Sequence, residues 1–215
     1  MHLCKDCDSG ELQCTKCIIG GHSRRPLHRI QRWNGNYFED TSLANAGLTI
    51  DLGHNPVTCV AGHGKIQSHL ITVMDINGLH NVRLCWCQCL RFSHLAEELF
   101  RRQWIPATLI RPGTAFTFRV MKHFQRLSHI ARTTPWDFCN VIQRLTDNIQ
   151  PDQLPDIYRS FNRVQRLWRI SRAYKRAGVT MCHSIGTLPC LGLQCVSCPW
   201  PGRNIPDNWK DDPDV

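Results

Sequence analysis

The hydrophobic pattern changes period along the chain, and each change marks a different kind of element. Leu48 to Leu52 alternates apolar and polar residues, as a short strand does. His69 to Asp75 alternates more strongly, and Leu79 to Trp86 follows after Asn77-Gly78. The two runs therefore predict a β-hairpin turning at Asn77-Gly78. From residue 93 the period lengthens to that of a helix. Ser93 is placed to cap a helix with Glu97 and Glu98 early, Arg101 and Arg102 late, and Pro106 at its exit. Thr114 is placed to cap a second, with Phe116, Val120, Phe124 and Leu127 at helical spacing. Thr134-Pro135 opens a third, because proline is welcome in a first turn. Pro151 and Pro155 bracket a turn. A last helix is predicted over 157–177, ending at Gly178, with Ile157, Phe161, Val164 and Trp168 on its apolar face.

The two ends carry neither period. Residues 1–33 are polar and cysteine-rich, and 179–215 hold cysteines followed by Pro199, Pro201 and Pro206 and an acidic tail. The expected organisation is an α+β chain in four parts: a small zinc-stabilised module at 1–33, a β-hairpin cysteine cluster at 34–92, a basic α-helical region at 93–178 and a cysteine knuckle at 179–215. Segments with so little apolar surface need an organiser other than a core.

Composition names that organiser. The chain has 13 cysteines and 11 histidines. Met1 is followed at once by His2, Cys4, Lys5 and Asp6, so no secretory leader is read, and no apolar run is long enough to span a membrane. Paired cysteines with interleaved histidines in a reducing compartment then read as zinc ligands rather than disulfides. The first group is Cys4, Cys7, Cys14, Cys17, His22 and His28, with two C-x2-C knuckles. Two assignments stay open. In the interleaved arrangement of B-box modules, Cys4, Cys7, His22 and His28 share one zinc, and Cys14 and Cys17 would need partners upstream of Met1. In a plain ribbon, Cys4, Cys7, Cys14 and Cys17 share it. The second group is His54, Cys59, His63, His80, Cys85, Cys87 and Cys89. The third is Cys190, Cys195 and Cys198, near Cys182 and His183. Cys139, beside Phe138 on a helix, reads as a core residue.

Charge adds a partner. The net charge is +9, and it is concentrated: from Arg91 to Arg176 there are 16 Lys/Arg against 6 Asp/Glu, a net of +10. Arg159, Arg163, Arg166 and Arg169 lie on the side of the last helix away from its apolar face, and Arg172, Lys175 and Arg176 follow toward its end. A solvated helical surface and a polyanion-binding face both fit this pattern; the concentration makes DNA the expected partner.

The order of short motifs resembles one family. Pro26 to Ile30, Trp33 to Phe38, Leu52-Gly53-His54, Asp75 to His80, Cys87-Gln88-Cys89, Trp104 to Thr108, Thr114 to Arg119, Arg144 to Asn148, Lys175 to Gly178 and Cys195 to Pro199 are together similar to the C-x-C-type cysteine cluster associated with KDZ transposases of fungi. The resemblance implies metal ligation by His54, Cys59, His80, Cys87 and Cys89, with Cys85 additional to the family pattern. It implies a nuclear, non-catalytic part of a transposase, truncated before the RNase H-like catalytic domain. That part would assist DNA binding or assembly through self-association or a transposase partner, with no membrane and no small-molecule substrate. Asp75 ends an apolar strand as a metal-binding aspartate of a nuclease does, but it runs into a turn without carboxylate companions and reads as a turn residue. A B-box-like protein-interaction module and a non-functional transposon relic are the alternatives.

Overall fold

The computed structural model describes residues 1–52, 67–86 and 95–176, and near the C-terminus Gly202, Ile205, Pro206 and Asn208. The chain divides into two units, Met1–Leu167 and Trp168–Val215. The boundary falls inside the last helix, and of the second unit mainly the end of that helix is described.

The first unit is a mixed α+β structure with two sheets. In the N-terminal part, β1 (His2–Cys4), β2 (Ile30–Trp33) and β3 (Phe38–Thr41) form an antiparallel sheet in that order, with α1 (Thr15–His22) between β1 and β2. No periodicity announced these elements, because three or four residues per strand are too few to show one. Ile18, Ile30, Leu43 and Leu48 close a small core around Cys4. The boundary expected at residue 33 falls inside this sheet, since β3 pairs with β2 from Ile30 to Trp33.

The larger sheet has five strands in the order β4-β6-β5-β8-β7. These are β4 (Thr49–Leu52), β5 (Gln67–Asp75), β6 (Gly78–Trp86), β7 (Trp104–Pro106) and β8 (Thr114–Thr117). Strands β4 and β6, and β5 and β8, run parallel; the other pairs are antiparallel. The β5–β6 hairpin is where the alternation placed it, but its turn sits one residue earlier. Asp75 pairs with Gly78, so Ile76 and Asn77 form the loop. The positive φ is at Gly78, 143°. A side chain there would meet Thr146 Oγ1 at 3.0 Å, and that oxygen accepts the backbone N–H of Leu79 at 2.8 Å.

Side chains alternate across the sheet. Ile71, Val73, Val82, Leu84 and Ala115 face one way and pack with Leu99, Trp104 and the half-buried Leu27 and Leu95. Leu95 and Leu99 come from α2 (Leu95–Arg101). Phe116 faces the other way, toward α3 (Phe118–Ile130), α4 (Pro135–Thr146) and α5 (Tyr158–Arg176). There the rings of Phe116, Phe124, Phe138 and Phe161 pack with centroids 5.0–5.6 Å apart, in tilted, edge-on and, for Phe138 with Phe161, stacked pairs that suit aromatic quadrupoles. Cys139 is buried beside them on α4, and burial pushes its thiol up to about 12.

Two expectations for 93–178 are corrected. The region is not wholly helical, because β7 and β8 lie within it. Thr114 does not cap a helix: it starts β8, and the cap is Thr117, whose Oγ1 accepts the N–H of Val120 at 3.0 Å. The backbone of 114–117 finds its partners in β5 and β7, and that tertiary pairing overrides the local cap-and-period signal. By contrast Thr134 caps α4 with Pro135 in its first turn, as the sequence indicates.

Candidate metal centre

Cys4 ends β1, and Cys7 follows in the turn that leaves it. His22 ends α1, and His28 precedes β2. The antiparallel pairing of Cys4 with Ile30 brings the two ends of this loop together. One donor atom from each of Cys4, Cys7, His22 and His28 lies within 4.8 Å of the others. Cys7 Sγ is 3.4 Å from His22 Nε2 and 3.4 Å from His28 Nδ1, and Cys4 Sγ is 3.5 Å from His28 Nδ1. Tetrahedral zinc with Zn–S near 2.3 Å and Zn–N near 2.05 Å has S···N edges of about 3.6 Å. The four donors are therefore already spaced to fit such an ion.

The surroundings orient these donors. His22 Nδ1 lies 2.8 Å from the carbonyl oxygen of Ile18, which can only accept, so Nδ1 carries the proton and Nε2 is left as a lone pair facing Cys7. Asp6 lies between the two cysteines in sequence. Its carboxylate accepts from the Arg29 backbone N–H at 2.6 Å, from Arg29 Nη2 at 2.7 Å and from Asn77 Nδ2 at 3.1 Å. The cysteine knuckle is thus tied to the residue after His28 and to the hairpin loop. Burial opposes the charge on Asp6, but the bonds from Arg29 outweigh it and lower its pKa. Burial also pushes the Cys4 thiol up to about 11, so in this apolar pocket a thiolate requires a compensating cation.

The remaining predicted ligands lie elsewhere. Cys14 and Cys17 are exposed and lie outside the four-donor cluster, so the geometry gathers the interleaved set and not the ribbon set. They interact with each other at the start of α1, where Cys14 is the N-cap residue; backbone N–H groups there lower the Cys14 thiol, led by that of Cys17. His80 is buried on β6, with Nε2 2.9 Å from Asn77 Oδ1. Asn77 Nδ2 donates to Asp6 and to the carbonyl of Leu27, which fixes the amide orientation and makes His80 Nε2 the donor. His80 and Cys85 have opposite parity on β6 and so face opposite sides of the sheet, which keeps them from sharing an ion. His54, Cys59, Cys87, Cys89, Cys190, Cys195 and Cys198 lie outside the described residues.

The basic residues of α5 fall in both units. Arg159, Arg163 and Arg166 are exposed in the first, where Arg163 donates to the carbonyl of Ala107. In the second, Arg169, Lys175 and Arg176 are exposed, and the guanidinium of Arg172 lies 5.9 Å from the Trp168 ring centre. Among the described residues none of the seven joins an ion pair.

Asp75 closes the hairpin turn by pairing with Gly78, in line with its reading as a turn residue, and the structure adds a second role. It is 1% exposed and accepts hydrogen bonds from Thr117 Oγ1 at 2.7 Å and from Arg119. Its partners stand more than forty residues away, at the junction of β8 and α3, and no local signal marks them.

Fold and site together define a cysteine- and histidine-rich α+β protein with a four-donor cluster able to hold a metal ion. A family model described as a CxC2-like cysteine cluster associated with KDZ transposases matches residues 43–150, half of the chain. The chain belongs to that family. The match covers the large sheet and helices α2–α4; the four-donor cluster precedes it. No curated protein and no solved structure matches the chain.

Proposed function

We propose that this protein is a zinc-organised, non-catalytic part of KDZ transposase machinery that acts in the nucleus by helping to hold DNA. The observation that carries the reading is the four-donor cluster. Two sulfurs and two imidazole nitrogens, spaced like the corners of a tetrahedron, suit zinc over harder cations. A closed set of four leaves no position for substrate, which supports a structural rather than a catalytic ion. The family model supports the setting, since what it describes is a cysteine cluster associated with transposases. The unpaired basic residues of α5 supply charge for phosphate contacts that position rather than read DNA.

The test is direct. Purified protein should carry zinc and shift duplex DNA, with affinity falling steeply as salt rises above about 50 mM. It should neither nick nor join DNA with Mg²⁺ or Mn²⁺. Absence of binding at about 50 mM salt, or binding indifferent to salt, refutes the DNA role.

A second reading draws on Cys14 and Cys17. These two exposed donors have no further Cys, His, Asp or Glu gathered with them among the described residues. A partner supplying two more would complete a site, which favours a zinc-dependent interaction module. Zinc-dependent self-association by light scattering, without DNA affinity, is its signature.

A further inference from the structure

A cleft of about 660 Å³ lies over the sheet face that carries Asp75, and its charge is unevenly used. Five arginines and three carboxylates line it. Two of the carboxylates are committed: Glu98 accepts from Arg101 at 2.7 Å, and Asp75 is held by Arg119. Among the described residues, Arg24, Arg25 and Arg102 form no ion pair, and the one remaining carboxylate is the exposed Asp51. Five arginines against three carboxylates leave the cleft a net charge of +2, carried by Arg24, Arg25 and Arg102 against the single Asp51.

Arg102 is the informative one. It is half-buried, its guanidinium lies 5.7 Å from the Trp104 ring centre, and burial lowers its pKa without an anion to offset the cost. A guanidinium removed from water and left without an anion is costly unless a ligand supplies one. Gln103, beside it, adopts a left-handed φ of 61°, unusual for a residue other than glycine. That backbone is held at both ends, by Gln103 N–H to Phe100 and by Phe118 N–H to Gln103, and it fixes where Arg102 and Trp104 stand. A planar guanidinium held near an aromatic ring on a fixed backbone is suited to phosphate oxygens.

Arg24 and Arg25 are placed by the metal centre. They sit in the turn between His22 and His28, where Arg25 N–H donates to His22 at 2.9 Å and His28 N–H donates to Arg25 at 3.3 Å. Both Leu52 and Asp75 line the cleft. Leu52 is in register with Trp86 and Asp75 with Gly78, the two ends of β6, so the lining of the cleft is extended and does not close around one point. Such a shape suits a chain of phosphates better than a single small anion.

We propose that this cleft takes phosphodiester oxygens of a nucleic-acid backbone on Arg24, Arg25 and Arg102, as a contact surface separate from the arginines of α5. The inference rests on the DNA-binding reading above. The metal centre then acts at a distance, by holding the turn that presents two of the three cations.

Fluorescence anisotropy with a short labelled duplex, on the full metal-loaded chain, tests it. The variants are Arg24→Gln/Arg25→Gln, Arg102→Gln, Arg24→Lys/Arg25→Lys, and Arg159→Gln/Arg163→Gln/Arg166→Gln as the helix set. The expected result is a roughly tenfold or greater loss of affinity in each cleft glutamine variant. In a further variant that combines Arg24→Gln, Arg25→Gln and Arg102→Gln, the log–log salt slope should be shallower by about 2 to 3, close to one for each phosphate that is no longer neutralised. The lysine pair keeps most of the affinity. If Arg102→Gln fails to fold, the exposed Arg24 and Arg25 pair decides alone. Wild-type binding that weakens only in the helix set overturns the cleft and leaves the DNA reading standing. No binding by wild type overturns both.

Discussion

Asp75 and Arg119 form an ion pair in which the carboxylate is buried, 1% exposed, while the guanidinium is 60% exposed. The asymmetry sets what each substitution does. Removing Arg119 strands a charge inside the protein, whereas neutralising Asp75 leaves a guanidinium that water can serve. Arg119→Met is expected to lower unfolding stability by about 2 kcal/mol, below the usual figure for a buried pair because water already screens the arginine. Asp75→Asn should cost less. Burial opposes ionisation of Asp75, but Arg119, Thr117 and the Ile76 N–H lower its pKa below 3.8. Its stabilisation is therefore complete above that value and is lost as pH falls through the lower folded value. Urea titrations of both variants near neutral pH check the order.

His80 imposes a second acid limit, which sets in at higher pH. Burial lowers its pKa from 6.5 to about 4, and the residue is 7% exposed. The unfolded chain binds this proton more readily than the folded one. Stability is thus whole at pH 7 and falls as pH drops from 6.5 toward 4, by up to about 3 kcal/mol. In His80→Gln the amide can still meet Asn77, and the fall across this window should shrink. Urea midpoints measured on both sides of the window test it; equal pH dependence in the two proteins contradicts the assignment.

Asn77 links the metal module to the hairpin. Its amide donates to Asp6 and Leu27 and accepts from His80, so one side chain joins three segments. Asn77→Ala should cost about 1–2 kcal/mol. The double variant with Asp6→Ala should depart from additivity by at least about 0.5 kcal/mol, because the two side chains are hydrogen-bonded to each other. Additive losses would show that the module and the hairpin are energetically independent.

Much of this was legible along the chain, for reasons visible in particular residues. The hairpin was plain because β5 and β6 are long enough to alternate, and α4 because Thr134-Pro135 is a local start signal. Strands β7 and β8 were hidden because a threonine before a helical period looks like a cap wherever it stands, and only pairing with β5 distinguishes Thr114 from Thr117. Cysteine spacing limited the first metal site to two schemes but could not choose between them. That choice is made by the β1–β2 pairing, which carries His28 back to Cys4. The Asp75–Arg119 pair left no trace, since nothing local relates residues so far apart. The cleft surplus was equally hidden: the Arg24-Arg25 pair and Arg102 are far apart in sequence, and only the fold shows that Glu98 and Asp75 are already paired, with Asp51 the one other carboxylate of the cleft.

The two cysteine pairs of the N-terminal part should separate cleanly under mutation. Cys4 is buried and Cys7 half-buried, both beside His28, while Cys14 and Cys17 are exposed. Cys7→Ser should therefore abolish metal retention by this module, while Cys14→Ser/Cys17→Ser leaves it intact. Because burial pushes the Cys4 thiol up to about 11 in the metal-free pocket, binding must displace thiol protons, and affinity should weaken steadily as the solution is acidified. Chelation should loosen β1, α1 and β2, whose shared core is small, before it disturbs the hairpin, whose core does not contain the cluster. Metal content by mass spectrometry and amide exchange with and without chelator measure both effects. Metal loss in the Cys14/Cys17 variant with retention in Cys7→Ser would reassign the site to the other pair.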